Sequence, residues 1–143
     1  MLDDGKYADL VLQGGYIINV ITREIYPGDV AVKGERIVMI GDASGLIGPD
    51  TKVERISGKF VCPGFIDSHM HFESAMLTIT EFSKLSIPTG TTTLVADPHE
   101  IGNVLGVTGI RAMIDEARQL PNRVLFTVPS LTPDAPGLET AGC

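Results

Sequence analysis

The chain has 143 residues, a formal net charge of −7 and eleven basic residues that are scattered along it. Nucleic-acid binding needs clustered Lys and Arg, so the composition disfavours nucleic acid as a partner. No apolar run approaches the ~20 residues that span a bilayer, and the first residues carry no apolar signal region. We therefore expect a cytoplasmic protein with no membrane partner.

The two cysteines, Cys62 and Cys143, are too few for a disulfide framework and form no CxxC pair. Cys62 is expected to be a small buried residue beside a strand.

The first sixty residues have an all-β pattern. Short apolar runs bounded by glycines predict strands at residues 9–13, 16–20, 29–32, 36–40 and 52–56. Strands this short predict a small β-sandwich or part of one. Residues 1–62 are therefore expected to form a small β-sandwich-like domain.

The pattern changes after residue 62. A mostly apolar strand within residues 59–67 resumes after Pro63-Gly64, and Thr78 and Glu81 have the spacing of a helix capping box. The helix is predicted to bury Phe82 and Leu85 and to stop at Pro88.

Two more strands and one more helix follow. The strands are predicted at residues 91–96 and 124–128, with a helix between them that ends at Pro121-Asn122. One face of that helix carries Val107, Ile110, Met113, Ile114 and Ala117. Alternating apolar strands and helices predict parallel βαβ units. A complete (β/α)₈ barrel takes about 250 residues, so residues 63–143 would hold only the first three β/α units of an incomplete TIM barrel. The predicted fold class is α/β with a small all-β N-terminal part.

The best candidates for chemistry are His69 and His71. Side chains alternate across a strand, so both imidazoles and Asp67 share one face and can point at one ion. An isolated His-x-His is a weak signal, but this one follows an apolar strand, at whose C-terminal end barrel enzymes build their sites. We predict that both histidines are metal ligands rather than a structural pair.

Further polar residues follow the second predicted strand. Asp97, His99 and Glu100 could be ligands, supports of ligands or substrate contacts, or they could form a loop whose carboxylates cap helix amides. Glu73 could face the same site or be a loop carboxylate. Asn103 is expected to cap a helix rather than to join the site.

A cytidine-deaminase site is the rival metal interpretation. His71-Phe72-Glu73 matches the His-x-Glu half of that signature, but the required Pro-Cys-x-x-Cys is missing from the sequence. We exclude this rival.

Three stretches carry a resemblance to a known family. They are Pro-Gly-Phe-Ile-Asp-Ser-His-Met-His-Phe-Glu-Ser from Pro63, Gly-Thr-Thr-Thr-Leu-Val-Ala-Asp-Pro-His-Glu from Gly90, and Gly-Leu-Glu-Thr-Ala-Gly from Gly137. With them the chain resembles the adenine deaminase family of the amidohydrolase superfamily. The first stretch is shared across much of the superfamily, and the second is more particular to adenine deaminases.

The resemblance implies hydrolytic deamination of adenine to hypoxanthine and ammonia by a metal-bound hydroxide. It implies a binuclear divalent metal site, with manganese or iron preferred and zinc as a further option. His69 and His71 match the first-strand ligands, and Asp97, His99 and Glu100 match a second-strand cluster with a supporting or auxiliary metal role.

The remaining ligands of the family come from later strands. This chain is therefore expected to be an N-terminal portion that is inactive alone, from an enzyme expected to be a homo-oligomer.

Two alternatives remain open. One is another amidohydrolase, such as a cyclic-amide hydrolase, against which Asp-Pro-His-Glu argues. The other is a non-catalytic metal-binding module that oligomerises through an open sheet edge.

Overall fold

The computed structural model describes residues 6–129, and the chain divides into two compact units, Met1–Pro63 and Gly64–Cys143. The stretch that begins at Gly137, and Cys143, lie outside the described residues. Among residues 6–129, no helix is both long and apolar enough to cross a membrane.

The first unit contains one five-stranded sheet. Its strands are β1 (Leu10–Asn19), β2 (Glu24–Lys33), β3 (Arg36–Gly41), β4 (Lys52–Arg55) and β5 (Phe60–Val61). The central strand β1 pairs antiparallel with β2 and parallel with β4 and β5, and β3 pairs antiparallel with β2.

All five strands join this one sheet, so residues 6–63 form one sheet rather than a complete β-sandwich, and the predicted part of a sandwich stays a prediction. The two strands predicted at residues 9–13 and 16–20 are a single strand, β1, whose register shifts between Leu12 and Gly15. Gly14, at the shift, has a φ of 76°, which glycine adopts without the steric cost a side chain would add. The glycines interpreted as a strand end therefore mark a bulge inside one strand.

The core of the first unit is small. Its buried residues are Ala8, Val11, Ala31 and Ala43, and Leu46 and Ile47 pack against them. A short 3₁₀ helix at Ser44–Leu46 contributes to this cover. Cys62 is exposed rather than buried, because β5 ends at Val61 and leaves it in the connection out of the sheet.

The second unit has a three-stranded parallel sheet in the order β6-β7-β8. Its elements in chain order are β6 (Phe65–Met70), α1 (Ile79–Ser86), β7 (Thr91–Ala96), α2 (His99–Ala117) and β8 (Arg123–Phe126). Both strand pairs are parallel, which confirms the predicted βαβ units and the α/β class.

Helix α1 begins as predicted, since the side chain of Thr78 accepts a hydrogen bond from the Glu81 amide at 3.3 Å. Its buried positions are Ile79, Ser83 and Ser86, which follow helical spacing. Leu85 was expected inside but is 62% exposed, because it lies off that stripe. The α-helix ends at Ser86, and a 3₁₀ turn containing Pro88 follows.

Helix α2 starts well before its predicted apolar face. It begins at His99, continues across a kink at Gly106 (φ 60°, ψ −150°) and ends at Ala117, ahead of Pro121. Val107, expected inside, is 64% exposed because it directly follows the kink. Asn103 lies within α2, so the expectation that it caps a helix is wrong.

The core of the second unit holds larger side chains. Its buried members are Met70, Phe72, Ile79, Leu94, Ala96 and Ala117. Strand β6 was expected to be buried, yet Phe65 and Ile66 are 61% and 65% exposed. The reason is that β6 is an edge strand of this sheet, paired only with β7 among the described strands.

Candidate metal centre

The C-terminal ends of β6 and β7 bring the three histidines together. His69 is the next-to-last residue of β6, His71 follows its end, and His99 begins α2 just after β7. Neighbouring parallel strands end at the same edge of a sheet, so these positions meet. The ring centroids of His69 and His71 lie 4.8 Å apart, and those of His71 and His99 also lie 4.8 Å apart.

The two nitrogens of His71 have different partners. Its Nδ1 lies 3.0 Å from the carbonyl oxygen of Asp97, and because a carbonyl only accepts, Nδ1 carries the hydrogen. In the neutral ring the lone pair is then on Nε2, which lies 3.1 Å from Nε2 of His69, within hydrogen-bond distance. A metal-binding histidine usually donates its other ring N–H to such a backbone carbonyl, so His71 is oriented as a ligand.

The spacing of these nitrogens suits one cation. In a tetrahedral site with metal–nitrogen bonds of about 2.0–2.1 Å, two ligand nitrogens lie about 3.3 Å apart. A second group extends the site on the other side of His71, where ligand atoms of His71, His99 and Glu100 all lie within 4.8 Å of one another. His71 is common to both groupings.

Three buried polar atoms of the loop after β6 and of the segment after β7 lack a hydrogen-bond partner, namely Glu73 Oε2, Asp97 Oδ1 and His99 Nδ1. A buried polar atom without a partner costs about 1–3 kcal/mol, so such atoms rarely collect at one place without a reason. A bound cation would compensate carboxylate and imidazole atoms of this kind. The residues present therefore fit a divalent cation.

The two aspartates contribute differently. Asp97 Oδ1 lies 3.7 Å from His99 Nδ1, too far for a hydrogen bond, and the two form an ion pair only if His99 is protonated. Asp67 Oδ1 accepts from the backbone amide of His69 at 3.2 Å, so Asp67 supports the turn of the chain at the strand end.

The two glutamates each have one oxygen engaged. Glu73 Oε1 accepts from the amide of Ile101 at 3.0 Å, which satisfies one of the free amides in the first turn of α2. Glu100 Oε1 accepts from the hydroxyl of Ser74 at 2.5 Å. Glu73 is thus a loop carboxylate, one of its two expected roles, and it caps α2, a contact that the sequence did not predict for it. Its other oxygen is buried and has no hydrogen-bond partner.

Sequence reasoning missed Ser74 and Phe72. Ser74 lies at the end of the Pro63 stretch, and no pattern distinguishes it from any other exposed serine. Phe72 is 1% exposed and anchors the loop in the core, but a single aromatic residue after a strand predicts no such role.

The model of the Amidohydrolase family matches residues 60–142. The chain is 69% identical over 136 residues to Adenine deaminase 1 of Carboxydothermus hydrogenoformans and 51% identical over 135 residues to the adenine deaminase of Moorella thermoacetica. Each match covers 94% of this chain, which spans 23% of the length of either relative.

A solved structure points the same way. A D-aminoacylase, studied for the role of its binuclear metal center, is 34% identical with a TM-score of 0.53, over 67% of this chain and 19% of that one. The family match includes β6, β7 and all three histidines, and it covers more than half of the sequence. The chain belongs to the amidohydrolase family.

Proposed function

We propose that this chain supplies the first part of the active site of an adenine deaminase, which converts adenine to hypoxanthine and ammonia. One observation carries the proposal: His69, His71, His99 and Glu100 converge at the ends of two parallel strands. The 69% identity to an adenine deaminase supports adenine as the substrate.

The proposed cofactor is a divalent metal at a binuclear site, with manganese or iron preferred and zinc as a further option. His69 and His71 would hold one ion, and His99 and Glu100 would contribute beside His71. Mixed imidazole and carboxylate ligands suit these metals. When bound, the metal supplies Lewis acidity for hydrolysis of the C–N bond.

Contacts within the chain orient the candidate ligands. The Asp97 carbonyl holds the His71 ring in one orientation, and the Glu73 carboxylate holds the first turn of α2, on which His99 and Glu100 lie. Asp97 and Glu73 are proposed as supports of the ligands, and their unpartnered oxygens, Asp97 Oδ1 and Glu73 Oε2, are available to contact the ion or the substrate.

We also propose that β6, β7 and β8 are the first three strands of a (β/α)₈ barrel that begins near residue 63, and that the residues before it form a separate small β domain. The parallel order β6-β7-β8 and the break between the two compact units support both assignments.

The test is an assay of ammonia release from adenine, with added manganese or iron. A protein of the relatives' full length that contains this sequence should deaminate adenine. The 143-residue chain alone should show little turnover, because its candidate ligands come from only two strand ends. Robust turnover by the short chain would contradict the idea that its site is partial, and no turnover by the long protein would contradict the deaminase.

Another amidohydrolase activity is the second candidate. The likeness to D-aminoacylase favours an N-acyl-D-amino acid as the alternative substrate, and a cyclic imide represents the cyclic-amide hydrolases. A panel of the three substrates on the full-length protein separates these activities. Preference for either alternative over adenine would overturn the proposal.

A further inference from the structure

Three side chains of the loop after β6 contact the segment that follows β7, at Asp97 and in the first turn of α2. His71 Nδ1 donates to the Asp97 carbonyl, Glu73 accepts from the Ile101 amide, and Ser74 donates to Glu100. Between them, Phe72 is buried in the core. The loop therefore sets the position of the first turn of α2 through its own side chains.

Phe72 makes this arrangement rigid. It is 1% exposed, and its ring packs edge-on against that of Phe82 with the ring centroids 5.4 Å apart. Glu73 and Ser74 directly follow this buried residue, so the core restrains the backbone from which their side chains extend. The Ser74 hydroxyl can therefore hold the side chain to which it is hydrogen-bonded in one position.

The partner of Ser74 is the one carboxylate in the His71, His99 and Glu100 cluster. A glutamate side chain has several rotatable bonds, and fixing it costs up to about 2 kcal/mol of conformational entropy. The hydroxyl engages Oε1 at 2.5 Å. This contact fixes the carboxylate in advance and leaves Oε2 to reach a cation.

We propose that Ser74 is a positioning residue that holds Glu100 ready to bind a divalent cation through one oxygen. This inference rests on the metal centre put forward under the proposed function. Outer partners of this kind, when removed, typically cost about 10–100-fold in metal affinity.

The test is a cobalt titration of the 143-residue chain, followed by the visible absorption of Co²⁺ and by calorimetry. Ser74→Ala should weaken cobalt binding about 10–100-fold. Ser74→Thr keeps the hydroxyl and should stay within about threefold of the parent chain. Ser57→Ala, at an exposed serine in the first unit, is the matched control and should change nothing.

A double variant separates positioning from general destabilisation. If Ser74 acts through Glu100, Ser74→Ala should have no further effect on cobalt affinity once Glu100→Ala is present. Thermal unfolding of the metal-free variants should give the same midpoint as the parent chain. An additive loss, or a loss that Ser74→Thr shares with Ser74→Ala, would overturn the inference.

The two proposals fail in different ways. Cobalt binding by the parent chain together with unchanged affinity in Ser74→Ala would overturn the role of Ser74 and leave the metal centre standing. The same titration on a protein of the relatives' full length that contains this sequence tests the metal centre itself, and absence of cobalt binding there would overturn both.

Discussion

Carboxylates are used in different ways in the two units. In the first unit, Asp29 accepts from the amides of Gly14 and Ala43 with its two oxygens, and Asp9 accepts from the amide of Gly34. In the second unit, Glu73 and Asp97 each keep a buried oxygen without a partner. Every unpartnered buried side-chain atom found between residues 6 and 129 lies in the second unit. In the first unit, Asp9 and Asp29 thus bind backbone amides with their carboxylate oxygens. In the second unit, Glu73 and Asp97 each have a carboxylate oxygen that is free to bind a ligand.

The cores of the two units differ in the size of their buried side chains. The largest fully buried side chain of the first unit is that of Val11, whereas the second unit buries Phe72, Ile79 and Leu94. Phe72 adjoins His71 in sequence, and Leu94 lies in the strand that leads to Asp97. Large side chains therefore pack next to the residues that must be held in place, and close packing resists their displacement.

Removing a candidate ligand gives the largest effect. His71→Ala should lower the affinity for cobalt or manganese more than about 100-fold, since even outer partners of a metal site account for about 10–100-fold. Calorimetric titration of the 143-residue chain measures it.

The matched variant in the first unit is Asp29→Ala. It should leave metal affinity unchanged and lower the free energy of unfolding by about 1–3 kcal/mol, because the amides of Gly14 and Ala43 lose their acceptor. The contrast breaks down if Asp29→Ala weakens metal binding as much as His71→Ala does.

Adding metal should stabilise the two units unequally. A ligand at about 100 times its dissociation constant stabilises the state that binds it by about 2.7 kcal/mol. Hydrogen exchange should therefore slow at the amides of β6, β7 and the first turn of α2, and a chelator should reverse the effect.

The amides of β1 and β2 are the internal reference for that experiment, and their exchange should not change. Equal slowing in both sheets would show that the ion stabilises the whole chain. It would contradict the prediction that metal stabilises the second unit alone.

The smallest expected effect concerns Glu116, a carboxylate of the second unit that stabilises the start of α1. Burial raises the pKa of Glu116, but hydrogen bonds from Thr80 and Thr78 outweigh it and lower that pKa below its ordinary value. Its Oε1 accepts from the Thr80 amide at 2.8 Å, in the first turn of α1. A lowered pKa means that the charged form favours the folded state, so this stability is present above the ordinary carboxyl pKa and disappears as pH falls through the lowered one.

Glu116→Gln should therefore reduce the free energy of unfolding by about 0.5–1.5 kcal/mol at neutral pH, and by progressively less in acid. Urea denaturation across the acid range measures it. Asp115→Asn, at the exposed neighbour that pairs with Arg118, should stay within about 0.5 kcal/mol at all pH values. A Glu116→Gln effect that persists unchanged in acid would contradict this assignment.

Local patterns predicted some elements closely. The β-branched run at Thr91 produced β7 with the predicted bounds, and Thr78 caps α1 because its capping contact lies within one turn. Predictions failed where contacts with residues far away in the sequence determine where a strand or helix begins or ends. Gly14-Gly15 looks like a strand end in sequence, but pairing with β2 and a hydrogen bond from Gly14 to Asp29 carry the strand through it.

The start of helix α2 was predicted wrongly for a related reason. Its first turns carry Ile101, Val104 and Leu105 at helical spacing, but Gly102 and the kink at Gly106 interrupt the pattern. A contact from another segment supports these turns, since the Glu73 carboxylate accepts from the Ile101 amide. No window of the sequence around α2 contains Glu73. The contact that supports the start of this helix could therefore not be predicted from the helix's own residues.

The sequence by itself determined the βαβ order and the candidate ligands, because strand propensity, helix capping and the His-x-His spacing are properties of neighbouring residues. Only the tertiary structure decided that His99 and Glu100 meet His71, that Glu73 supports α2, and that Ser74 holds Glu100. The physical reason is that parallel pairing of β6 with β7 brings together residues that are 26 to 28 positions apart in the chain.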